Sequence, residues 1–246
     1  MSQLEKLTLY LRIQNRDRFI DSTHLQNEIL VYMPRLHYAP SQDIQGTVTY
    51  IGHQCMASII NYINSREAVC SIFSLPFAFD RLEDIGNVFP DTIFNYVTYL
   101  LVQDVIPFNH EFFIRVARAF PLLNHFRIMN FKSQSSCNLN TFSSDNNESF
   151  PIAQYPYLTS LDMRSGNLDY VEQFLNATKT YVPCLTELTI SYNDLRIFTK
   201  SFTREETRRN CAKVKQLIMI TTLVHSKDFY LYFPSLWMKL FLCIYI

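Results

Sequence analysis

The chain has 246 residues and balances 22 Lys plus Arg against 22 Asp plus Glu, so no net field draws it to phosphate backbones or anionic lipid, and no nucleic-acid partner is expected. A hydrophobic content of 48% excludes a disordered chain, and the length suffices for one core or for a stacked array. Only 4 glycines stand beside 15% aromatic residues, which argues against hairpin-rich sandwiches and glycine-loop nucleotide sites.

The opening residues Met1 to Lys6 lack the basic region and long apolar stretch of a secretory signal, so the expected compartment is cytoplasm or nucleus. The six cysteines (Cys55, Cys70, Cys137, Cys184, Cys211, Cys243) show no CxxC pairing, and reduced thiols are expected. Sequons at Asn147 and Asn176 carry little weight, because so short a pattern arises by chance.

Along the chain one phrase recurs, with apolar residues at positions one, four and six: Leu4, Leu7 and Leu9 form its first copy. A helical period follows over Thr23 to Tyr32, and Leu36 opens a degraded second copy that Pro40 interrupts. Gln54 to Ile63 reads as a helix, Val69, Ile72 and Ser74 as a looser third copy, and Asp80 to Val88 as the next helix. Val97, Leu100 and Val102 restore the phrase, Glu111 to Phe120 is helical with Phe112, Val116, Ala117 and Phe120 on one face, and Leu123, Phe126 and Ile128 repeat the phrase.

Lys132 to Gln154 is rich in Ser and Asn and reads as a polar loop insertion. Beyond it come the phrase at Leu158, Leu161 and Met163, a helix over Leu168 to Leu175, the phrase at Leu185, Leu188 and Ile190, a helix over Thr203 to Val214, and the phrase at Val214, Leu217 and Met219. Arg204, Arg208, Arg209, Lys213 and Lys215 alternate with Glu205 and Glu206, the pattern of a solvated helix face. The atypical apolar segment Phe229 to Ile246 is interrupted by Pro234 and Lys239 and falls short of the roughly 20 apolar residues a spanning helix needs, so a membrane role is not expected. It reads as a last, irregular repeat or a partner-docking surface, and self-association of the isolated chain is expected from it.

The phrase is the strand motif of leucine-rich repeats, and first positions at 4, 36, 69, 97, 123, 158, 185 and 214 fall at intervals of about 26 to 35 residues. A proline stands two residues ahead of several of these positions (Pro34, Pro121, Pro156, Pro183), as Pro234 does before Leu236, where its missing N–H stops a helix. The expected fold is therefore an α/β leucine-rich-repeat solenoid spanning 1–246, with about eight irregular repeats, a curved parallel sheet on the concave side and helices on the convex side. The Asn that completes the repeat motif is read at Asn193 and is absent at most equivalent positions.

The segments His53 to Pro90 and Phe94 to Asp104 resemble the repeat region of F-box/leucine-rich-repeat-like proteins of a lineage-expanded invertebrate family, and the resemblance covers most of the chain. It implies substrate recognition by the repeats for an F-box-type ubiquitin ligase. No F-box is read in these residues, so a Skp-type adaptor is expected as partner only with an upstream F-box; Leu75-Pro76 followed by Leu82, Ile85 and Val88 is better read as strand end and helix.

Strand side chains alternate, so residues between the buried phrase positions face outward on the concave side: Lys6, Thr8, Tyr99, His125, Arg127, Ser160, Asp162, Arg164, Glu187, Thr189 and Gln216 are the candidate contacts to a protein partner. No catalytic, metal or cofactor site is expected. His53 with Cys55 lacks a second ligand pair, His110 with Glu111 lacks the second histidine of HExxH, and Glu83 and Asp84 are neighbours whose side chains diverge. A non-catalytic interaction scaffold is the expected function, with a repeat-only interaction protein or a truncated gene product, either without ligase role, as the alternative.

Overall fold

The computed structural model describes residues 10–15, 48–51, 54–64, 67–133, 151–219 and 227–236. The first part is a four-stranded antiparallel sheet of β1 (Tyr10–Asn15), β2 (Val48–Ile51), β3 (Gln54–Asn64) and β4 (Glu67–Leu75) in the order β1-β4-β3-β2. The chain then runs β5 (Arg81–Ile85), β6 (Tyr99–Gln103), α1 (His110–Ala119), β7 (His125–Asn130), β8 (Ala153–Gln154), β9 (Ser160–Gly166) and α2 (Leu168–Leu175). It continues with β10 (Thr180–Tyr181), β11 (Glu187–Thr189), α3 (Tyr192–Phe198), α4 (Glu205–Cys211), β12 (Gln216–Ile218) and α5 (Lys227–Tyr232).

The architecture is mixed α/β with a mostly parallel sheet. Six strands pair in chain order, β5-β6-β7-β9-β11-β12, all parallel, while β8 and β10 make a separate parallel pair behind them. The fourth-position apolar residues meet across the sheet: Leu100 with Phe126, Phe126 with Leu161, Leu161 with Leu188, Leu188 with Leu217. All are buried, so a slip of one residue would turn every one of them to the other face.

One backbone device recurs at the start of each strand. The Asp80 carbonyl accepts from both Thr98 N and Tyr99 N (2.8 and 3.0 Å), and the carbonyls of Thr98, Asn124, Thr159 and Thr186 accept pairwise from the next strand at 2.8 to 3.0 Å. Ahead of it lies a turn closed by Leu123 N to Phe120 O, Leu158 N to Tyr155 O, Leu185 N to Val182 O and Leu236 N to Phe233 O, at 3.2 to 3.4 Å. Proline occupies the second position of all four, where its fixed φ suits the turn and its missing N–H costs nothing. The first and fourth residues point into the core while the third, between them, faces solvent at Leu122, Tyr157 and Cys184.

The core between sheet and helices is aromatic. Phe113 packs edge-on against Phe174 (5.1 Å) and lies within ring contact of Phe108, Phe112, Phe126 and Tyr170. Tyr155 joins this cluster through Phe126 and Phe174 and donates its hydroxyl to the Phe113 carbonyl at 2.7 Å. Asn109 caps α1 by accepting from Phe112 N at 2.8 Å, and Asn167 caps α2 by accepting from Asp169 N at 3.1 Å, each satisfying a backbone donor that the helix leaves open.

Several sequence expectations are corrected. Gln54 to Ile63 is not a helix but most of β3: Met56, Ile59, Ile60 and Ile63 satisfy a helical spacing, yet the backbone is extended and paired, and among the side chains whose burial is described Ala57, Ile59 and Asn61 are buried, at period two. Val69 to Ser74 lies in β4, antiparallel between β1 and β3, and is not a strand of the parallel sheet. Asp80 to Val88 is not helical either; β5 is the first parallel strand, with Leu82 opposite Leu100 and Ile85 opposite Val102. One extra residue between those pairs is absorbed at Asp84, whose φ of 57° places it in the left-handed region of a bulge. Helix α3 was not foreseen. Within Lys132 to Gln154, residues 134–150 lie outside the described set, and the end at Ala153–Gln154 is paired strand rather than loop. Leu4 to Leu9, Thr23 to Tyr32, Leu36 and residues 237–246 of the apolar C-terminal segment also lie outside it.

The antiparallel sheet abuts the free edge of β5. Phe73 and Phe77 meet Phe94, which stacks on Phe120 at 4.7 Å, so both sheets share one core. The junction is polar at its rim: buried Asn61 on β3 donates through Nδ2 to the carbonyls of Asp84 (3.0 Å) and Gln103, and Val105 N donates to Tyr62 O at 3.1 Å.

Candidate functional site

The outward face of the parallel sheet gathers most of the candidate residues into rows, because parallel strands in register place equivalent side chains about 4.8 Å apart. Tyr99, His125, Ser160, Glu187 and Gln216 are consecutive partners in one row. Arg127, Asp162 and Thr189 are consecutive partners in the next. Arg164 falls where the β7–β9 register shifts between Arg127 and Met129, and folds back onto its own strand. Lys6 and Thr8 lie outside the described residues.

Thr189 corrects the expectation. Paired between Asp162 and Ile218, its short side chain is only 4% exposed and offers no surface. The remaining candidates are half-buried, except His125, which is exposed.

Polar contacts tie the face together. Arg164 engages Asp162 through Nε to Oδ1 (3.1 Å) and Nη2 to Oδ2 (2.8 Å), and its backbone N adds a bond to Oδ1 at 3.1 Å. Arg127 Nε lies 3.6 Å from Asp162 Oδ2, an ion pair without a hydrogen bond. Ser160 Oγ donates to Glu187 Oε1 at 2.8 Å.

A further contributor, Arg81, lies in the segment expected as a helix and found as β5. Arg81 pairs with Tyr99 in the first row, its guanidinium lies 3.8 Å above the Tyr99 ring, and Nε donates to Glu83 at 2.7 Å. The hydrogen bond with Glu83 is the main reason the Arg81 guanidinium is held above its ordinary pKa. Leu101, opposite Arg127 in the second row, is buried and adds no surface. At the strand-start edge the third turn residues Leu122, Tyr157 and Cys184, with Tyr96 at the matching position, form an exposed and largely apolar row. The spacing of the phrase contained that row, one residue ahead of each first leucine.

At the opposite edge, asparagines bond the turns. Asn130 Nδ2 donates to Ile106 O (2.8 Å) and its Oδ1 accepts from Lys132 N (2.9 Å); Asn167 Nδ2 reaches Phe131 O at 3.2 Å. Asp104 accepts from Asn87 N at 2.6 Å and from Ile106 N at 2.9 Å. The expected position, Asn193, instead sits exposed as the second residue of α3.

The residues weighed for chemistry are occupied structurally. His110 meets Gln173 through Nδ1 (3.1 Å) and Pro151 O through Nε2 (2.9 Å), Glu83 is bound to Arg81, and Asp84 is buried in its bulge. His53 lies outside the described residues. Of the basic cluster, Arg208 pairs with Glu205 (3.0 Å), Arg204 with Glu206 (3.5 Å) and Glu172 (3.8 Å), and Lys213 donates to Pro183 O (2.8 Å). Cys184 and Cys211 are free thiols, and burial pushes the Cys211 thiol far up. Asn176, one of the two sequons, is buried with Oδ1 accepting from Thr178 N and Oγ1. Among the described residues no group of His, Cys, Asp or Glu is placed to hold a metal ion, and no helix is long and apolar enough to cross a membrane.

Comparison with protein-family models, with curated proteins and with solved structures finds no match to this chain.

Proposed function

We propose that this protein is a non-catalytic interaction scaffold of the leucine-rich-repeat type, and that it presents the outward face of its parallel sheet to another protein. The observation that carries this reading is the register: five consecutive strand pairs in chain order, each opened by the same shared carbonyl, with phrase positions inward and polar or aromatic residues outward. Such stacking builds a continuous surface whose side chains are set by sequence and not by the core. Tyr99, His125 and the Arg127–Asp162–Arg164 group supply the aromatic and guanidinium character that dominates protein contacts. The structural engagement of His110 and Glu83 and the burial of Asp84 support the non-catalytic part of the reading.

Charge reversal of Arg127 and Arg164 together tests it. Partners captured by the wild-type chain should be lost from a double variant that retains its far-UV spectrum; unchanged capture removes this strip from consideration. The resemblance to F-box/leucine-rich-repeat-like proteins adds a more specific version, substrate recognition within a cullin-type ubiquitin ligase. Co-purification of the full gene product with a Skp-type adaptor tests that version, and its absence favours a repeat-only interaction protein.

A further inference from the structure

The edge where the parallel strands begin carries two rows of equivalent residues. Four turns, closed by Val97 N to Phe94 O, Leu123 N to Phe120 O, Leu158 N to Tyr155 O and Leu185 N to Val182 O at 3.2 to 3.4 Å, each put their third residue at the tip. The tips are Tyr96, Leu122, Tyr157 and Cys184, all exposed, the two tyrosines by 58% and 56%. A fifth turn, closed by Val214 N to Cys211 O (3.1 Å), ends this row with exposed Lys213, which donates to the uncharged Pro183 carbonyl. The second row is the residue ahead of each strand. The register that pairs Arg81 with Tyr99 and Glu187 with Gln216 makes Asp80 its first member and Lys215 its last. Both are exposed, and Thr98, Asn124, Thr159 and Thr186 between them are uncharged. Arg81, next to Asp80 in the chain, is bound to Glu83.

The edge is thus largely apolar along its middle, with an aspartate at its β5 end and two lysines at its β12 end. Two copies of such an edge are complementary in one orientation. Parallel rows set Asp80 on Asp80 and Lys215 on Lys215, and like charges repel. Antiparallel rows set Asp80 of each chain beside Lys215 of the other. They also match a large tip with a smaller one throughout, Tyr96 with Cys184 and Leu122 with Tyr157. A surface on which residue i meets j while j meets i is what an isologous two-fold contact requires. With 22 Lys plus Arg against 22 Asp plus Glu, no net charge opposes the approach of two copies.

We propose that a second copy of this chain docks on the strand-start edge, about a two-fold axis that passes between Leu122 and Tyr157 and runs the two rows in opposite directions. The six strands make the row about 24 Å long, and a contact of that width is a small interface that associates reversibly. The axis that reverses the rows while bringing edge against edge turns both outward faces to the same side. A dimer therefore presents two such faces together to a partner with a repeated epitope. The edge is a different surface from the outward face, and its pairing does not depend on the interaction reading above.

Analytical ultracentrifugation of the full chain reads the association, and wild type should show a reversible monomer–dimer equilibrium. Asp80→Lys gives both ends of the edge a positive charge, and Lys215→Asp gives the β5 end and the strand-start row of β12 the same negative one. Each should weaken the dimer roughly 10-fold, because two exposed ion pairs become two repulsions. An equimolar mixture of these two variants should recover the wild-type affinity as a mixed dimer, since each supplies the charge that the other lacks. Tyr157→Ala acts at two symmetric places and should weaken the dimer about 100-fold. With diamide as the oxidant, Tyr96→Cys should form a disulfide to the partner's Cys184, seen as a dimer in a non-reducing gel and abolished by adding Cys184→Ser.

A wild-type chain that stays monomeric at every concentration overturns the proposal. So does association that neither charge change moves, which is the behaviour of self-association through the apolar C-terminal segment. A mixture no tighter than its components, or a crosslink that survives Cys184→Ser, overturns it as well. Capture of a different protein by a monomeric chain, lost in Tyr157→Ala, gives the edge to that protein and overturns the dimer. Charge reversal of Arg127 and Arg164 should leave the dimer intact, so its failure and that of the outward-face reading are distinguishable.

Discussion

Gly86→Ala probes the junction between the two sheets through a steric argument alone. A Cβ at Gly86 would lie 2.2 Å from Asn61 Oδ1 and 2.5 Å from Asp104 Oδ2, distances that no real contact tolerates. One of these side chains must move. Asn61 would surrender its bonds to the carbonyls of Asp84 and Gln103; Asp104 would surrender those from Asn87 N and Asn87 Nδ2. Either way two hydrogen bonds in a largely buried setting are lost, at about 1 kcal/mol each with an added desolvation cost, so a loss of roughly 2–4 kcal/mol is expected. Urea unfolding followed by far-UV circular dichroism measures it. The double variant Asn61→Ala with Gly86→Ala supplies the control: once the Asn61 amide is gone its clash is gone, so the two losses should fall short of additivity by about 1 kcal/mol or more. A Gly86→Ala variant within about 0.5 kcal/mol of wild type, or strict additivity in the pair, would refute the packing described for this junction.

Asn130→Ala should cost about 1–2 kcal/mol through its bonds to Ile106 O and Lys132 N, whereas Asn193→Ala, exposed on α3, should change stability by less than about 0.5 kcal/mol; equal effects in denaturation would sink the assignment of turn-bonding asparagines. Phe113→Ala, at the centre of the aromatic cluster, should lose about 3–5 kcal/mol, read as a shifted urea midpoint, and a milder loss would mean that the cluster repacks. Burial holds the Cys211 thiol and the Tyr155 phenol protonated in the fold, while the unfolded chain releases these protons near pH 8.5 and about 10. The folded state then binds more protons, so their contribution to stability is fully present below about pH 8.5 and is lost as pH rises beyond it. Cys211→Ala with Tyr155→Phe should flatten the decline of the unfolding midpoint between about pH 8.5 and 11; an unchanged slope contradicts the burial.

The parallel strands from Val97 onward were legible because their inward residues keep the phrase spacing and a proline turn marks each start. Upstream the reading failed where apolar residues occupy spacings shared by two periods. Met56, Ile59, Ile60 and Ile63 fit a helix on paper, while the β-branched run over Ile59, Ile60 and Ile63 suits a pleated strand paired on both sides. Leu82, Ile85 and Val88 mislead in a similar way, since the bulge at Asp84 stretches a strand spacing of two into a helical spacing of three. The outward rows were legible from alternation alone, but which charges pair depends on side chains that the register brings together from the same and the neighbouring strand. Asp162 gives both oxygens to Arg164 at the point where the β7–β9 register shifts, and nothing local in Ser160 to Gly166 announces that shift.

The proline turns separate two kinds of sequence freedom. Phe120, Tyr155 and Val182 and the leucines that follow each turn are committed to the core, whereas the residue between proline and leucine is exposed. Substitutions at Leu122, Tyr157 and Cys184 can therefore accumulate without a folding penalty, one strand spacing apart along a common edge. Cys184 makes the separation experimentally useful: once Cys55, Cys70, Cys137 and Cys243 are replaced by Ser, thiol labelling addresses this edge while Cys211 stays buried.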